Sequence, residues 1–169
     1  MPVVIRRPVA ADAERYLALL RALDGETPFL LWEPGERPIN ADALRKHFST
    51  LGEEGELLIA DAGESIVGFL SAKRGGTRRL RHRADFSMGV LADCRKHGIG
   101  RRLLEELEAW ARGRGVTRLE LTVMAHNQNA RRLYERMGYA TEGMKVGSIR
   151  VGGEPIDEVV MGKLVDASA

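Results

Sequence analysis

The chain has 169 residues, of which 44% are hydrophobic and 30% charged, and this is the size and make-up of one compact domain. Its net charge of +2 demands neither a nucleic-acid nor a membrane partner, and no stretch offers the roughly 18 consecutive apolar residues of a membrane helix. Cys94 is the only cysteine, which excludes an internal disulfide and a thiol-based zinc site, so the expectation is a cytoplasmic protein without a signal peptide.

No repeat, low-complexity run or Pro/Ser-rich linker divides the chain, and a single domain over 1–169 is expected. Val3-Val4-Ile5 reads as a short strand. Tyr16, Leu17, Leu20 and Leu23 then recur at helical spacing behind Asp12, a suitable N-cap residue. After the Pro/Gly-rich stretch from Thr27 to Pro38, Asn40 is placed to cap a second helix with Leu44, Phe48 and Leu51 on one face, ended by Gly52. Leu57-Leu58-Ile59-Ala60 and Ile66-Val67-Gly68-Phe69-Leu70 flank Ala62-Gly63-Glu64, a hairpin signal, and the basic segment Lys73 to Arg83 follows as a loop.

From Ala84 onwards Ala84, Phe86, Met88 and Val90 alternate with Asp85, Ser87 and Gly89, the period of a half-buried strand. Ile99, Leu103, Leu104, Leu107 and Trp110 follow helical spacing until Gly113 and Gly115, and Leu119, Leu121 and Val123 alternate again. Such a strand–loop–helix–strand unit requires parallel pairing. A fourth helix fits Ala130 to Met137, with Gly138 at its stop, and two strands, roughly Tyr139 to Val151 and Ile156 to Leu164, turn at Gly152-Gly153. The order βααβββαβαββ predicts an α/β fold with a mixed sheet of about seven strands and helices on its faces.

The segment Arg95-Lys96-His97-Gly98-Ile99-Gly100-Arg101 joins a strand to a helix, so its amides can converge on an anion at the helix start. Gly98 and Gly100 permit close approach of the backbone, and the basic side chains surround the place with charge. A tight turn with solvated cations is the alternative. The spacing is neither that of a P-loop nor that of a dinucleotide fingerprint, since Leu103 stands where the latter needs its third glycine.

Val90 to Gly100, VLADCRKHGIG, resembles the acyl-CoA pyrophosphate motif [QR]-x-x-G-x-[GA] of the GNAT superfamily, with Arg95, Gly98 and Gly100 in its fixed places. Asn127 to Tyr139, NQNARRLYERMGY, resembles the second signature of that family, N-x-x-A-x-x-L-Y-x-x-x-G-[FY], at every fixed place. The resemblance covers Asp85 to Tyr139 closely and the N-terminal half only as element order.

It implies a GNAT fold with splayed central strands and direct transfer of an acetyl group from acetyl-CoA to an amine, without a metal. Met88, Gly89 and Val90 would then offer the backbone edge for pantetheine, with Arg95 to Arg101 and Asn129 completing the cofactor site. Asn127 matches the position that contacts pantetheine and Tyr134 the one that protonates the departing thiolate; a helix cap and a half-buried anchor are the respective alternatives. Asp85, about ten residues before Arg95 where relatives often carry glutamate, is the candidate base, with an inert edge carboxylate as the alternative. Phe29, Trp32 and Glu33, between the first two helices, would wall the acceptor pocket, although Trp32 could equally cap the core.

The remaining candidates read as ordinary structure. His47, His82, His97 and His126 have no metal or triad spacing, Cys94 is a small loop residue, and the run Lys73 to Arg83 has no interleaved aromatic residue and reads as a solvated loop. The expected acceptor is a small-molecule amine such as an amino acid, polyamine or amine-bearing toxin. Acetylation of a protein α-amine or lysine, and non-catalytic acyl-CoA sensing, are the alternatives. The final hairpin is a candidate homodimer surface.

Overall fold

A computed structural model describes residues 2–166; Met1 and residues 167–169, the ends of the expected domain, lie outside the described residues. The chain runs β1 (Val4–Arg6), α1 (Ala13–Glu26), α2 (Ala41–Thr50), β2 (Gly55–Asp61), β3 (Ile66–Arg74), β4 (Arg83–Val90), α3 (Ile99–Gly113), β5 (Arg118–Met124), α4 (Gln128–Arg136), β6 (Ala140–Val151) and β7 (Glu154–Leu164). This is the expected βααβββαβαββ order. The seven strands form one mixed sheet in the spatial order β1-β2-β3-β4-β5-β7-β6, in which β4 and β5 alone run parallel.

The middle of the sheet is buried on both faces, which is why β2 and β3 are continuous apolar runs instead of alternating ones. Leu58, Ala60, Leu70 and Ala72 pack with Ala84, Phe86 and the inner side of α3, where Leu103, Leu104 and Leu107 are fully buried. Leu57, Ile59 and Phe69 point the other way, against Tyr16, Leu20 and Leu23 of α1 and Leu44 and Phe48 of α2. Helices α1 and α2 cover the β2–β3 side of that second face, and Leu23 of α1 reaches Gly89 of β4. Over β4 to β6 it carries polar residues such as Asp85, Ser87 and Glu120 and is left for a site.

Asn40 caps α2 as the sequence suggests, accepting the Ala43 N–H at 2.9 Å. Asp12 occupies the N-cap position of α1 as expected, but its side chain makes no capping bond. A 3-10 turn at Ala10–Asp12 precedes the helix, and the Asp12 carboxylate instead accepts the Val9 N–H at 2.8 Å and pairs with Arg6 and Arg15. Both arginines also bind Asp61 on β2, fastening β1 and α1 to the sheet and drawing the Asp61 carboxyl down to about 2 against the upward push of burial. No described helix is long and apolar enough to cross a membrane.

Candidate active site

Strands β4 and β5 pair over three rungs only, Arg83 with Arg118, Ala84 with Leu119 and Asp85 with Glu120. Beyond Asp85 each strand follows its other neighbour. β4 stays in register with β3 as far as Val90, and β5 stays with β7 as far as Met124, so the two part and leave a wedge. Leu91 N–H bonds Val67 O and Gly75 N–H bonds Arg83 O, which turns the peptides of the odd-numbered β4 residues toward β3. Those of Phe86, Met88 and Val90 therefore face the wedge. The Val90 carbonyl is taken by Arg95 Nε at 2.9 Å. The peptide of Gly89 belongs to the β3 ladder, and its missing side chain serves packing: a Cβ there would stand 3.0 Å from Leu23 and 3.1 Å from Phe69.

The loop after β4 enters α3 through Gly98, at φ +77°, and the first bond of the helix runs from Arg102 N–H to Gly98 O at 3.1 Å. The amides of Ile99, Gly100 and Arg101 thus have no helical acceptor and converge at the positive end of the helix. Lys96 also has positive φ, at 64°, so the segment folds back as a concave run of amides suited to an anion. Gly100 lies on the floor, where a Cβ would come within 2.9 Å of Leu133 and 3.3 Å of Met88. A narrow slot, orphan amides and Arg95, Lys96 and Arg101 at its rim together fit a pyrophosphate. Arg95 is also bonded to Glu26 Oε1 at 3.1 Å, and the same oxygen accepts the Ala92 N–H at 2.6 Å, tying the loop to the last residue of α1.

A cavity of about 1570 Å³ runs from this loop through the wedge to the underside of the α1–α2 segment. Of the expected site residues, Phe29, Trp32, Met88, Gly89, Val90, Arg95, Lys96, Gly98, Ile99, Gly100, Arg101, Asn127, Asn129 and Tyr134 line it. Glu33, Asp85 and His97 are not among the lining residues. Asn127 caps α4, accepting the Ala130 N–H at 3.3 Å, which keeps its side chain at the edge of the wedge. Tyr134 stands edge-on to Phe86 and Tyr139, with ring centroids 6.1 and 6.0 Å away, and burial raises its phenol well above the ordinary value.

At the foot of the wedge Asp85 and Glu120 face one another across the last paired rung. Burial and the adjacent Glu120 push the Asp85 carboxyl above its usual value, which Arg83 and Lys145 only partly oppose. Burial pushes Glu120 up as well, but the contact with Asp85 and the cations of Arg118 and Arg83 hold it below the usual range. The pair therefore keeps its proton on Asp85 longest.

The half of the cavity away from the phosphate loop is roofed by the segment after α1. Phe29 packs on His126, 5.1 Å between ring centroids, which joins the segment to the turn before α4. Trp32 lies against Arg37, whose guanidinium carbon is 5.7 Å from the ring centroid and whose charge is taken by buried Asp24 at 2.6 Å. Trp32→Ala should raise the KM of an acceptor about tenfold, a loss of ~1.4 kcal/mol, while leaving acetyl-CoA affinity unchanged. An unchanged acceptor KM would place the pocket elsewhere. Glu33 sits in an exposed turn, its N–H bonded to Glu36. Ser71, Ser87, Ile149 and Glu158 also line the cavity without having been singled out from the sequence. The serines lie on neighbouring strands in register, and no motif marks them.

A wedge between parallel strands, entered at one end by a helix-start slot of free amides and open at the other to a roofed pocket, has the form that the resemblance to GNAT acyltransferases implies. The profile of the acetyltransferase (GNAT) family matches residues 17–139, and the chain belongs to this family. It is an acetyl-CoA-dependent N-acetyltransferase. It is 33% identical over 153 residues to the N-alpha-acetyltransferase RimI of Mycobacterium tuberculosis, covering 90% of this chain and 87% of that one. With the L-amino acid N-acetyltransferase AaaT of Escherichia coli it shares 29% over 111 residues, 63% of this chain and 67% of the relative. The crystal structure of a GNAT-family acetyltransferase from Streptococcus pneumoniae superposes with a TM-score of 0.92 at 27% identity, covering 98% of this chain and 100% of that one.

Proposed function

We propose that the chain acetylates the amine of a small molecule bearing an apolar portion, an amino acid or a similar α-amine in the first place. The observation that carries this reading is the roofed apolar half of the cavity, where Leu20, Leu23, Leu30, Trp32, Leu44 and Phe69 surround a space continuous with the wedge. A second reading, the α-amine of a protein N-terminus, is favoured by the similarity to RimI over nine-tenths of the chain. The two share the reacting group. An α-amine with a pKa near 8 is neutralised at pH 7 for about 1 kcal/mol, against roughly 4–5 kcal/mol for a lysine-like amine.

Acetyl-CoA supplies an activated acyl group on a sulfur leaving group. The amides of Ile99 to Arg101, with Arg95 and Lys96, would hold its pyrophosphate, and the Phe86 and Met88 peptides would align the arm along β4. Asp85 receives the proton of the attacking amine, through water where the acceptor lies deeper than the carboxylate reaches. Tyr134 gives its proton to the departing sulfur. A panel of free amino acids, polyamines and short peptides, with acetyl-CoA and thiol-release detection, tests the reading. Turnover of peptides alone would replace it with the second.

Asp85→Asn should lower kcat/KM about 10-fold or more at neutral pH with a high-pKa amine, and the loss should shrink as pH rises. The sign follows from the proton. Asp85 is a base only above its own pKa, which is raised, so the wild-type rate climbs through that range, whereas the variant depends on amine already neutral in solution. With a low-pKa acceptor the difference nearly vanishes. Parallel pH–rate profiles for both acceptor classes would leave Asp85 an edge carboxylate.

A further inference from the structure

The acceptor half of the cavity contains a carboxylate that no cation claims. The cavity is lined by two acidic residues, Glu105 and Glu158. Glu105 belongs to α3 beside the phosphate slot and is bonded to Arg101 at 2.8 Å. Glu158 stands on β7, opposite Met124 of β5 and Lys145 of β6, on the face that the acceptor must cross. Among the described residues it forms no salt bridge, Lys145 included.

Its position is held by a bulge in the neighbouring strand. The β6–β7 register slips between Lys145 and Ile149, and this brings Ser148 over β7, where its hydroxyl donates to Glu158 Oε2 at 2.8 Å. Asp157 Oδ1 accepts the Gly147 N–H at 2.7 Å and pins the same bulge. Oε1 is left without a protein donor among the described residues. Arg37, which also lines the cavity, is neutralised by Asp24 through two bonds of 2.8 and 2.6 Å. A half-buried carboxylate beside an apolar pocket attracts a cation more strongly than one in open water.

We propose that Glu158 is the acceptor-recognising carboxylate, receiving the ammonium group of the incoming amine and so setting its KM. This rests on the amine-acceptor reading above. Asp85 and Tyr134 act on protons during transfer; Glu158 acts on the charge that both free amino acids and polyamines carry in solution. A charge-assisted bond of this kind distinguishes an amine from the same molecule without it.

The test is steady-state kinetics at saturating acetyl-CoA with L-phenylalaninamide, an α-amine with an apolar arm, on the wild type, Glu158→Gln and Glu158→Asp. Glu158→Gln should raise the acceptor KM about 10–100-fold with kcat within about threefold and acetyl-CoA affinity by calorimetry unchanged. Glu158→Asp keeps the charge and should recover most of the affinity. Hydrocinnamamide, which lacks the amine, should inhibit wild type and Glu158→Gln with equal Ki. Wild-type turnover with an unchanged KM in Glu158→Gln overturns the proposal, as does a fall in kcat alone. Failure of the wild type to acetylate any amine of the panel overturns the reading on which it rests.

Discussion

Tyr134→Phe should lower kcat by about 10²–10⁴ while acetyl-CoA binds with its wild-type affinity. The phenol sits at the wedge, braced edge-on by Phe86 and Tyr139, and is 7% exposed, so removing one oxygen leaves the packing of the ring intact. Burial keeps the hydroxyl protonated throughout the working range, the state in which it can donate. A thiol with a pKa near 8.5 leaves more readily when a proton arrives with the breaking bond, and the stated range corresponds to roughly 3–5 kcal/mol of barrier. Steady-state kcat and calorimetric acetyl-CoA affinity, measured on the same preparation, check it. Full kcat in the variant would assign the proton to water or to another group.

Loss of coenzyme binding should be the result of Gly100→Val. The new Cβ would meet Leu133 at 2.9 Å and Met88 at 3.3 Å, and its methyl groups would fill the slot that the amides of Ile99 to Arg101 face. We expect the Kd for acetyl-CoA to rise at least ~100-fold, about 2.7 kcal/mol. Gly98→Ala separates the other requirement of the loop. Its Cβ would touch nothing within 4 Å, so the change acts only through the φ of +77°, a strain of order 1–3 kcal/mol. It should weaken binding less, and melting curves will register it as lost stability. Unchanged acetyl-CoA affinity in a well-folded Gly100→Val would remove the slot from the coenzyme site.

The elements and the glycine loop that opens α3 were legible in the chain because both are written locally. Alternation in Ala84 to Val90, helical spacing from Ile99 to Trp110 and the two glycines between them depend on residues close in sequence, and the structure keeps all three. Local reasoning found the place of Asp12 at the N-cap of α1 but not its bonds, because its carboxylate is claimed by Arg6 and Arg15. The Arg6 pairing arises only once β1 and α1 are side by side.

What the sequence determined by itself, then, was the α/β fold of the GNAT family, with the glycine loop at the start of α3 and Tyr134 on α4. The far half of the cavity was decided by tertiary structure. β7 inserts between β5 and β6, although β6 comes first in the chain, and this places Glu158 beside Met124 at the cavity. The bulge that sets Ser148 over Glu158 and the rung that joins Asp85 to Glu120 are likewise products of register. Strand order and register follow from the fit of distant side chains in a shared core, and a periodicity of two within each strand carries no record of its neighbour.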